Sequence, residues 1–283
     1  MTSALLQIKM RPMSTEVNPR LELANRIAVE AGKITLKHFR NSSLNVIKKG
    51  DGSPLTIADQ ESETFLRQQI AANFPDDAIV GEEYGMSEGT SPFTWILDPI
   101  DGTKSFISGV PLYGTMVAVE QEVSSDHRES LIGSVYLPGI DEGIFASKGN
   151  GAWYFTGDES PSRAEVSKTS TLSDAVLVTS EVETFDERDA RDVYNRLALA
   201  TWYSRTWGDV YGYLLVATGR VDIMIDPILN VWDAAAVQPI IQEAGGRFSD
   251  WSGTSRIDAG EAIGSNGLLH EEVLKLISKN AGG

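Results

Sequence analysis

One nonapeptide, Trp95–Thr103 (WILDPIDGT), constrains the fold of this chain more than any other stretch. The apolar residues at its start predict a buried strand. A turn at Pro99 then places the carboxylates of Asp98 and Asp101 at the end of that strand. Paired carboxylates at a proline turn suit hard cations, which prefer oxygen ligands. The competing interpretation is an ordinary strand-to-turn junction, where Asp, Pro and Gly are common.

The residues after this turn, Gly102, Thr103 and Lys104, favour an anion site. If a helical turn begins here, their backbone N–H groups form a cradle for a negatively charged group. A cation site beside an anion cradle indicates phosphate chemistry.

Composition limits the classes of protein that need to be considered. At 283 residues, with 41% hydrophobic and 23% charged residues, the chain can form one large or two modest soluble domains. It has neither an apolar run near the ~20 residues of a membrane span nor the pattern of a signal peptide. Because cysteine is absent, disulfides and thiolate metal sites are excluded, and a cytoplasmic location is the simplest expectation.

The formal charge of −16 argues against nucleic acid as a partner, because phosphate backbones bind positive surfaces. Small phosphate substrates remain compatible, since bound divalent cations reverse the local charge. With only three histidines, a carboxylate metal site is favoured over an imidazole one. Solubility alone is the other explanation of the acidity.

The chain divides into two halves with different patterns. Residues 1–17 lack periodicity and predict a flexible N-terminus. Residues 18–160 predict two helices beside an antiparallel sheet, an α+β arrangement, and residues 161–283 alternate strands and helices as an α/β layer does. The polar segment Thr156–Ser173 favours a boundary between them.

Hydrophobic periodicity and turn residues predict the elements of both halves. The predicted helices are approximately residues 18–38, 59–74, 187–200, 210–218, 232–244 and 268–278. The predicted strands are approximately residues 78–80, 93–98, 113–120, 131–137, 143–154, 175–179, 221–225, 247–251 and 263–265.

Several acids outside the nonapeptide have ordinary explanations when each is taken alone. Asp59, Asp209 and Asp233 lie near helix starts, where an acid is most often a cap. Glu82 follows a short strand and could simply be solvated. If that strand and the strand ending in Asp98 share a sheet, the two acids meet at one edge.

Taken together, GEE at 81–83, DPIDGT at 98–103 and WDAAA at 232–236 resemble the inositol monophosphatase family of metal-dependent phosphatases. The resemblance spans about Leu21 to Gly267. It implies a layered α-β-α-β-α sandwich, a homodimer, and two or three Mg²⁺ ions per subunit.

The resemblance also implies roles for individual residues. The implied metal ligands are Glu82, Asp98, Asp101, Asp233 and the backbone carbonyl of Ile100. Glu82 would also contribute to catalysis through a third, weaker ion. Asp59 and Thr103 match the pair that orients and activates the attacking water, and Lys48 matches a lysine near the site.

Within the family, residues 104–115 and 207–233 resemble the histidinol-phosphate phosphatase branch. Asp226 matches the position where inositol-specific members place an acid facing the sugar hydroxyls, and Asp209 and Asn230 lie nearby in the alignment. Histidinol phosphate carries an ammonium and an imidazole, so extra acids suit it. These acid-rich loops could equally be surface.

The function expected is therefore Mg²⁺-dependent hydrolysis of a small phosphomonoester, first histidinol phosphate, then inositol monophosphates, then nucleotide phosphates. Neither nucleic acid nor a membrane is an expected partner. The alternative is a regulatory protein on a phosphatase scaffold. It is disfavoured because acids occupy all five acidic positions of the site, which are Asp59, Glu82, Asp98, Asp101 and Asp233.

Overall fold

A computed structural model describes residues 17–50, 52–124 and 127–278. The predicted flexible segment 1–17 lies outside these residues except for Val17, which belongs to the first helix. Across the described ranges, no helix combines the length and apolar character that crossing a membrane requires.

Helices and mostly short strands follow one another along the described chain. The helices are α1 (Val17–Leu36), α2 (Ile57–Asn73), α3 (Thr103–Ile107), α4 (Thr184–Glu187), α5 (Arg191–Ala200), α6 (Asp209–Ala217), α7 (Val231–Ala235), α8 (Val237–Glu243) and α9 (His270–Ser278). The strands are β1 (Val46–Lys48), β2 (Pro54–Thr56), β3 (Ala78–Gly81), β4 (Gly85–Ser87), β5 (Phe93–Asp101), β6 (Gly114–Ser124), β7 (His127–Leu137), β8 (Glu142–Ser147), β9 (Ala152–Thr156), β10 (Ser162–Ala164), β11 (Val176–Val178), β12 (Tyr203–Arg205), β13 (Ile223–Asp226), β14 (Arg247–Ser249) and β15 (Ala262–Ser265).

The larger sheet, as far as the described residues define it, has eight strands in the order β10-β9-β8-β7-β6-β5-β3-β4. Its pairs are antiparallel except β3 with β5, which run parallel. Side chains alternate across its two faces. Trp95 and Leu97 pack with the apolar residues of α1 and α2, whereas Ile96 packs on the opposite face.

The smaller sheet has the order β12-β11-β13-β15-β14 within the described ranges. Strand β11 runs parallel to both β12 and β13. Leu177 and Ile223 pack on one face with α5 and α9. Val178 and Met224 pack on the other face with α6 and α8.

A middle layer of helices, α6, α7 and α8, lies between the two sheets. Tyr213 and Ile240 from this layer share one buried cluster with Ile96 of the larger sheet and Val178 of the smaller. Since α1 and α2 cover one outer face and α5 and α9 the other, the predicted α-β-α-β-α sandwich is confirmed.

Two predicted elements are interrupted. The strand expected at 143–154 is two strands, because Gly149 and Gly151 adopt the left-handed φ values of 79° and 77° that turn the chain. The helix expected at 232–244 divides at Ala236. Pro239 explains that break, because it has no N–H to donate to the carbonyl four residues earlier and its ring crowds it.

The short strand β10 pairs with β9, so residues just beyond 160 still belong to the larger sheet. The division of the chain at residue 160 into two halves stays a prediction.

Candidate active site

The parallel pair β3 and β5 brings two predicted ligands to one edge of the larger sheet. Gly81 pairs with Leu97, and the Glu82 N–H donates to the Leu97 carbonyl at 3.2 Å. Glu82 comes directly after Gly81 and Asp98 directly after Leu97, so the two acids lie on adjacent segments of the chain. The condition stated for their meeting, a shared sheet, is met.

A β-bulge in β5 explains how two acids three residues apart approach the same point. Asp98 pairs with Met116 and Asp101 with Gly114, so three steps along β5 match two along β6. In a regular strand, residues three apart face opposite sides. The extra residue removes this opposition, and Pro99, which has no N–H, lies within the bulge. The predicted end of the strand at Asp98 is thus a bulge, and β5 continues to Asp101.

Three carboxylates converge at this bulge. One oxygen from each of Asp98, Asp101 and Asp233 lies within 4.8 Å of the other two. Asp233 is in the first turn of α7, where its Oδ2 accepts the Asn230 N–H at 2.8 Å. The N–H of Val210, at the start of α6, donates to Asp101 Oδ2. The larger sheet and the middle layer of helices therefore position this carboxylate cluster.

The electrostatics of the carboxylate cluster fit a hard cation. Burial raises the pKa of Asp98 well above its usual range, and the charges of Glu82 and Asp101 raise it further. Burial also raises the pKa of Asp101 well above its usual range, and that of Asp233 to about 7. Carboxylates this close repel one another in the charged form, and a divalent cation with oxygen ligands removes that repulsion.

Asp59 has two carboxylate oxygens in different situations. Oδ2 caps α2, because it accepts the Thr56 N–H at 2.8 Å and the Thr56 hydroxyl at 2.6 Å. Oδ1 is buried and accepts no hydrogen bond from the described residues. Burial raises the pKa of this carboxyl to about 6, although Thr56 opposes the shift. Capping thus accounts for one oxygen and leaves the other for a ligand.

The predicted helical turn after the bulge is present. Helix α3 begins at Thr103, and Gly102 precedes it with φ of 81°. A Cβ at position 102 would lie 2.9 Å from Asp209 Oδ2, so both the conformation and the space require glycine. The Thr103 hydroxyl donates to the Ile100 carbonyl at 3.0 Å. Thr103 therefore contacts the carbonyl that the family resemblance implies as a metal ligand.

Lys49, and not the predicted Lys48, contacts the acids of the site. Lys49 Nζ lies 2.8 Å from Glu82 Oε1 and 2.7 Å from Glu83 Oε1, whereas Lys48 is exposed. Burial lowers the pKa of Lys49, but hydrogen bonds and charges from the two glutamates outweigh this effect and raise it. Consecutive side chains point in different directions, so the one-residue shift decides which lysine reaches the acids.

The predicted substrate residues occupy three different environments. Asp209 starts α6 with φ of 51°, an uncommon value outside glycine, and its N–H donates to Ser180 Oγ at 2.9 Å. Burial raises its pKa to about 7, with a further contribution from Asp226. Asn230 is exposed and caps α7.

Asp226 is more enclosed than the sequence suggested. It is only 3% exposed, and it accepts the Ser180 N–H at 2.9 Å and the Tyr213 hydroxyl at 3.1 Å. Burial raises its pKa. Both oxygens therefore accept hydrogen bonds from the protein, and Asp226 fixes the loop after β11. Its direct contact with a substrate stays a prediction.

Sequence reasoning missed two acids beside the site. Glu181, in the loop after β11, forms an ion pair with Lys104. An acid in a loop gives no signal of its own. Glu63 accepts the N–H groups of Glu83 and Tyr84, the residues after Glu82. Its spacing of four from Asp59 on the same helix could have indicated it, since residues i and i+4 share a helix face.

A sequence profile described as the inositol monophosphatase family matches residues 16–281. The chain belongs to this family. Its members are metal-dependent phosphatases, so the prediction of a metal-dependent phosphatase is confirmed.

Known relatives of this inositol monophosphatase family protein match it over most of their length. The chain is 39% identical over 247 residues to the histidinol-phosphatase of Chlorobaculum parvum, covering 87% of this chain and 92% of that protein. It is 36% identical to the histidinol-phosphatase of Mycobacterium tuberculosis, with 93% and 98% covered. The solved structure of the Thermotoga maritima IMPase superposes with a TM-score of 0.79 at 30% identity, covering 92% and 96%.

Proposed function

We propose that this family member hydrolyses L-histidinol phosphate to L-histidinol and inorganic phosphate, a step of histidine biosynthesis, with Mg²⁺ as its cofactor. The observation that carries the reaction type is the convergence of Asp98, Asp101 and Asp233 within 4.8 Å at the sheet edge beside Glu82. The similarity to histidinol-phosphatases supports the substrate.

The residues present fit the metal in number and in kind. Glu82, the three clustered aspartates and the Ile100 carbonyl would hold two or three ions, and Mg²⁺ bound there supplies charge neutralisation and a more acidic water. Lys49 already places an ammonium beside Glu82 at 2.8 Å, which indicates that this position accepts a cation.

Asp59 and Thr103 are assigned to the attacking water. Asp59 Oδ1 is buried and unbonded among the described residues, so it can accept a proton from that water. Burial raises the pKa of this carboxyl only to about 6, so the ionised form that accepts a proton predominates at neutral pH. Water then attacks phosphorus in line, forming one P–O bond as the ester P–O bond breaks. Asp59 takes a proton from the attacking water, and a solvent water gives one to the leaving oxygen, which departs as the alcohol.

The phosphate is assigned to the start of α3, and the alcohol is assigned to the acids beside it. The N–H groups of Gly102, Thr103 and Lys104 would face the phosphate. Asp209 and Glu181 would face the alcohol, where the ammonium of histidinol phosphate can pair with a carboxylate. The ion pair between the Lys104 ammonium and Glu181 supports the assignment of a cationic group of the substrate to this acid.

A panel of phosphomonoesters compared by kcat/KM tests the substrate. The histidinol assignment requires a higher kcat/KM for L-histidinol phosphate than for inositol 1-phosphate. Inositol 1-phosphate represents the substrate class in the name of the Thermotoga maritima IMPase. A preference for inositol 1-phosphate would overturn it and leave the phosphatase assignment intact.

The variant Asp209→Asn tests the acidic side directly. A buried ammonium–carboxylate pair that loses one partner costs on the order of 2–5 kcal/mol, so kcat/KM for histidinol phosphate should fall about thirtyfold or more. Glycerol 2-phosphate, which has no ammonium, should change little. For the matched variant Asp226→Asn, kcat/KM should fall equally for both substrates if Asp226 acts only through the loop, and selectively for histidinol phosphate if Asp226 contacts the alcohol.

We further propose that the protein acts as a cytoplasmic homodimer, the commonest symmetric assembly. Sedimentation at micromolar concentration should give twice the chain mass of 30.8 kDa. The monomer mass would contradict the proposal.

A further inference from the structure

Glu63, outside the set of proposed ligands, holds the turn that carries Glu82. Its side chain is 0% exposed. Its Oε2 accepts the Glu83 N–H at 2.8 Å, and its Oε1 accepts the Tyr84 N–H at 3.2 Å. A buried carboxylate that accepts two backbone N–H groups fixes the path of the chain between them.

Arg67, one helical turn after Glu63, completes this arrangement. Its Nε donates to Glu63 Oε1 at 2.7 Å, which compensates the buried charge. Its other nitrogens donate to the Gly85 carbonyl and, at 2.9 Å, to Ser87 Oγ. Helix α2 therefore fixes the segment from Glu83 to Ser87 through the side chains of Glu63 and Arg67.

The close approach of Glu63 depends on Gly81. A Cβ at position 81 would lie 2.0 Å from Glu63 Oε1, so any other residue would displace that carboxylate. Because residue 81 has no side chain, the Glu63 carboxylate can reach the turn that carries Glu82.

We propose that Glu63 is a positioning residue that fixes the position of Glu82 relative to Asp59. Asp59 and Glu63 stand one turn apart on the same face of α2, so this helix supplies the proposed water-orienting group and also fixes the proposed metal ligand. Their relative position is then set by one rigid element. The inference rests on the proposed function, in which Glu82 is a ligand of Mg²⁺.

The first test is Glu63→Gln, with Mg²⁺ affinity measured by calorimetry. The amide NH₂ would face one of the backbone N–H donors, so one of the two bonds is lost. Loss of a hydrogen bond that positions a metal ligand typically lowers metal affinity roughly 10–100-fold. We therefore expect the Mg²⁺ Kd to rise by about tenfold or more. At saturating Mg²⁺, kcat should stay within a few-fold of wild type.

Asp77→Asn is the matched control. Asp77 is a buried carboxylate of the same half that accepts bonds from Arg20 and Trp95 at 2.8 Å. Its loss should lower Tm without changing the Mg²⁺ Kd. If Glu63→Gln also lowers only Tm, Glu63 is merely structural and the proposal is overturned.

Two further measurements keep the inference testable if Glu63→Gln does not fold. Gly81→Ala should also weaken Mg²⁺ binding, because its Cβ displaces the Glu63 carboxylate. In the wild-type protein without Mg²⁺, hydrogen exchange should show protected amides at Glu83 and Tyr84, and rapid exchange at both would refute the proposal. Absence of Mg²⁺ binding to wild type would instead refute the proposed function.

Discussion

At the scale of single residues, the carboxylates of the cluster repel one another when they are charged, and a bound cation would remove that repulsion. Asp98 is 2% exposed and its pKa is raised by burial and by the acids around it. The variant Asp98→Asn should therefore abolish Mg²⁺-dependent activity and yet stabilise the metal-free protein. Relief of about 1 kcal/mol would raise Tm by roughly 2–4 °C in EDTA.

Thermal melts with and without Mg²⁺ check this prediction. Wild type should gain stability from Mg²⁺ by linkage, whereas the variant should gain much less. An Asp98→Asn protein that melts below wild type in EDTA would show that Asp98 is needed for folding instead of being strained.

Thr103 offers a second prediction at this scale. If its hydroxyl orients the attacking water, Thr103→Ala should lower kcat by roughly 10²–10⁴-fold with little change in Mg²⁺ affinity. Thr103→Ser keeps the hydroxyl and should retain most of the activity. Equal losses in both variants would assign Thr103 to packing of the turn.

At the scale of elements, the entry into α3 depends on Gly102, and Gly149 provides its matched control. Both glycines have φ near 80°, at 81° and 79°, but nothing lies within 4 Å of a Cβ at Gly149. Alanine should cost roughly 1–2 kcal/mol at either position through the left-handed backbone. Only Gly102→Ala also pushes against Asp209, so only that variant should raise KM. Urea unfolding and steady-state kinetics separate the two effects.

The elements that sequence reasoning found share a clear signal, and those it missed do not. The strand through Trp95 is long, apolar and bounded by turn residues, so its local pattern defines it. The missed strands β4, β10 and β12 each consist of three mostly exposed or half-buried residues without an apolar run, whereas the equally short β11 is wholly apolar and buried. Their pairing partners determine the missed strands. Such short segments carry too few positions for a period of two to be read.

The site likewise contains features that the local sequence defines and features that only the folded structure defines. The acids of DPIDGT and WDAAA could be assigned because motif and family agree. The bulge that turns Asp98 and Asp101 toward one another depends on pairing with β6, which local sequence does not reveal. Glu63 and Glu181 act through contacts with distant segments, and Lys49 differs from Lys48 only through the path of one loop.

At the scale of the whole molecule, His270 should make stability depend on pH. Its Nε2 and Nδ1 each lie 2.8 Å from a serine hydroxyl, those of Ser249 and Ser265, and burial lowers its pKa to about 4. The unfolded state, with a pKa near 6.5, binds more protons between these values. The contribution of His270 is therefore complete above about pH 6.5 and lost as pH falls toward 4, by up to about 3 kcal/mol.

Urea unfolding at about pH 7.5 and about pH 5 measures this slope. His270→Gln keeps a polar side chain that does not titrate, so its stability should fall less between the two pH values than that of wild type. Parallel pH dependence in the two proteins would contradict the assignment.

The middle helical layer has a consequence for dividing the gene. Helices α6, α7 and α8 follow residue 160 in the chain, yet Ile240 and Ala236 pack against strands that precede it. A fragment ending near 160 would leave one face of its sheet uncovered, and the remaining fragment would expose the helices that cover it. Neither piece should fold alone, whereas co-expression should rebuild activity, because each fragment supplies the apolar surface that the other must bury.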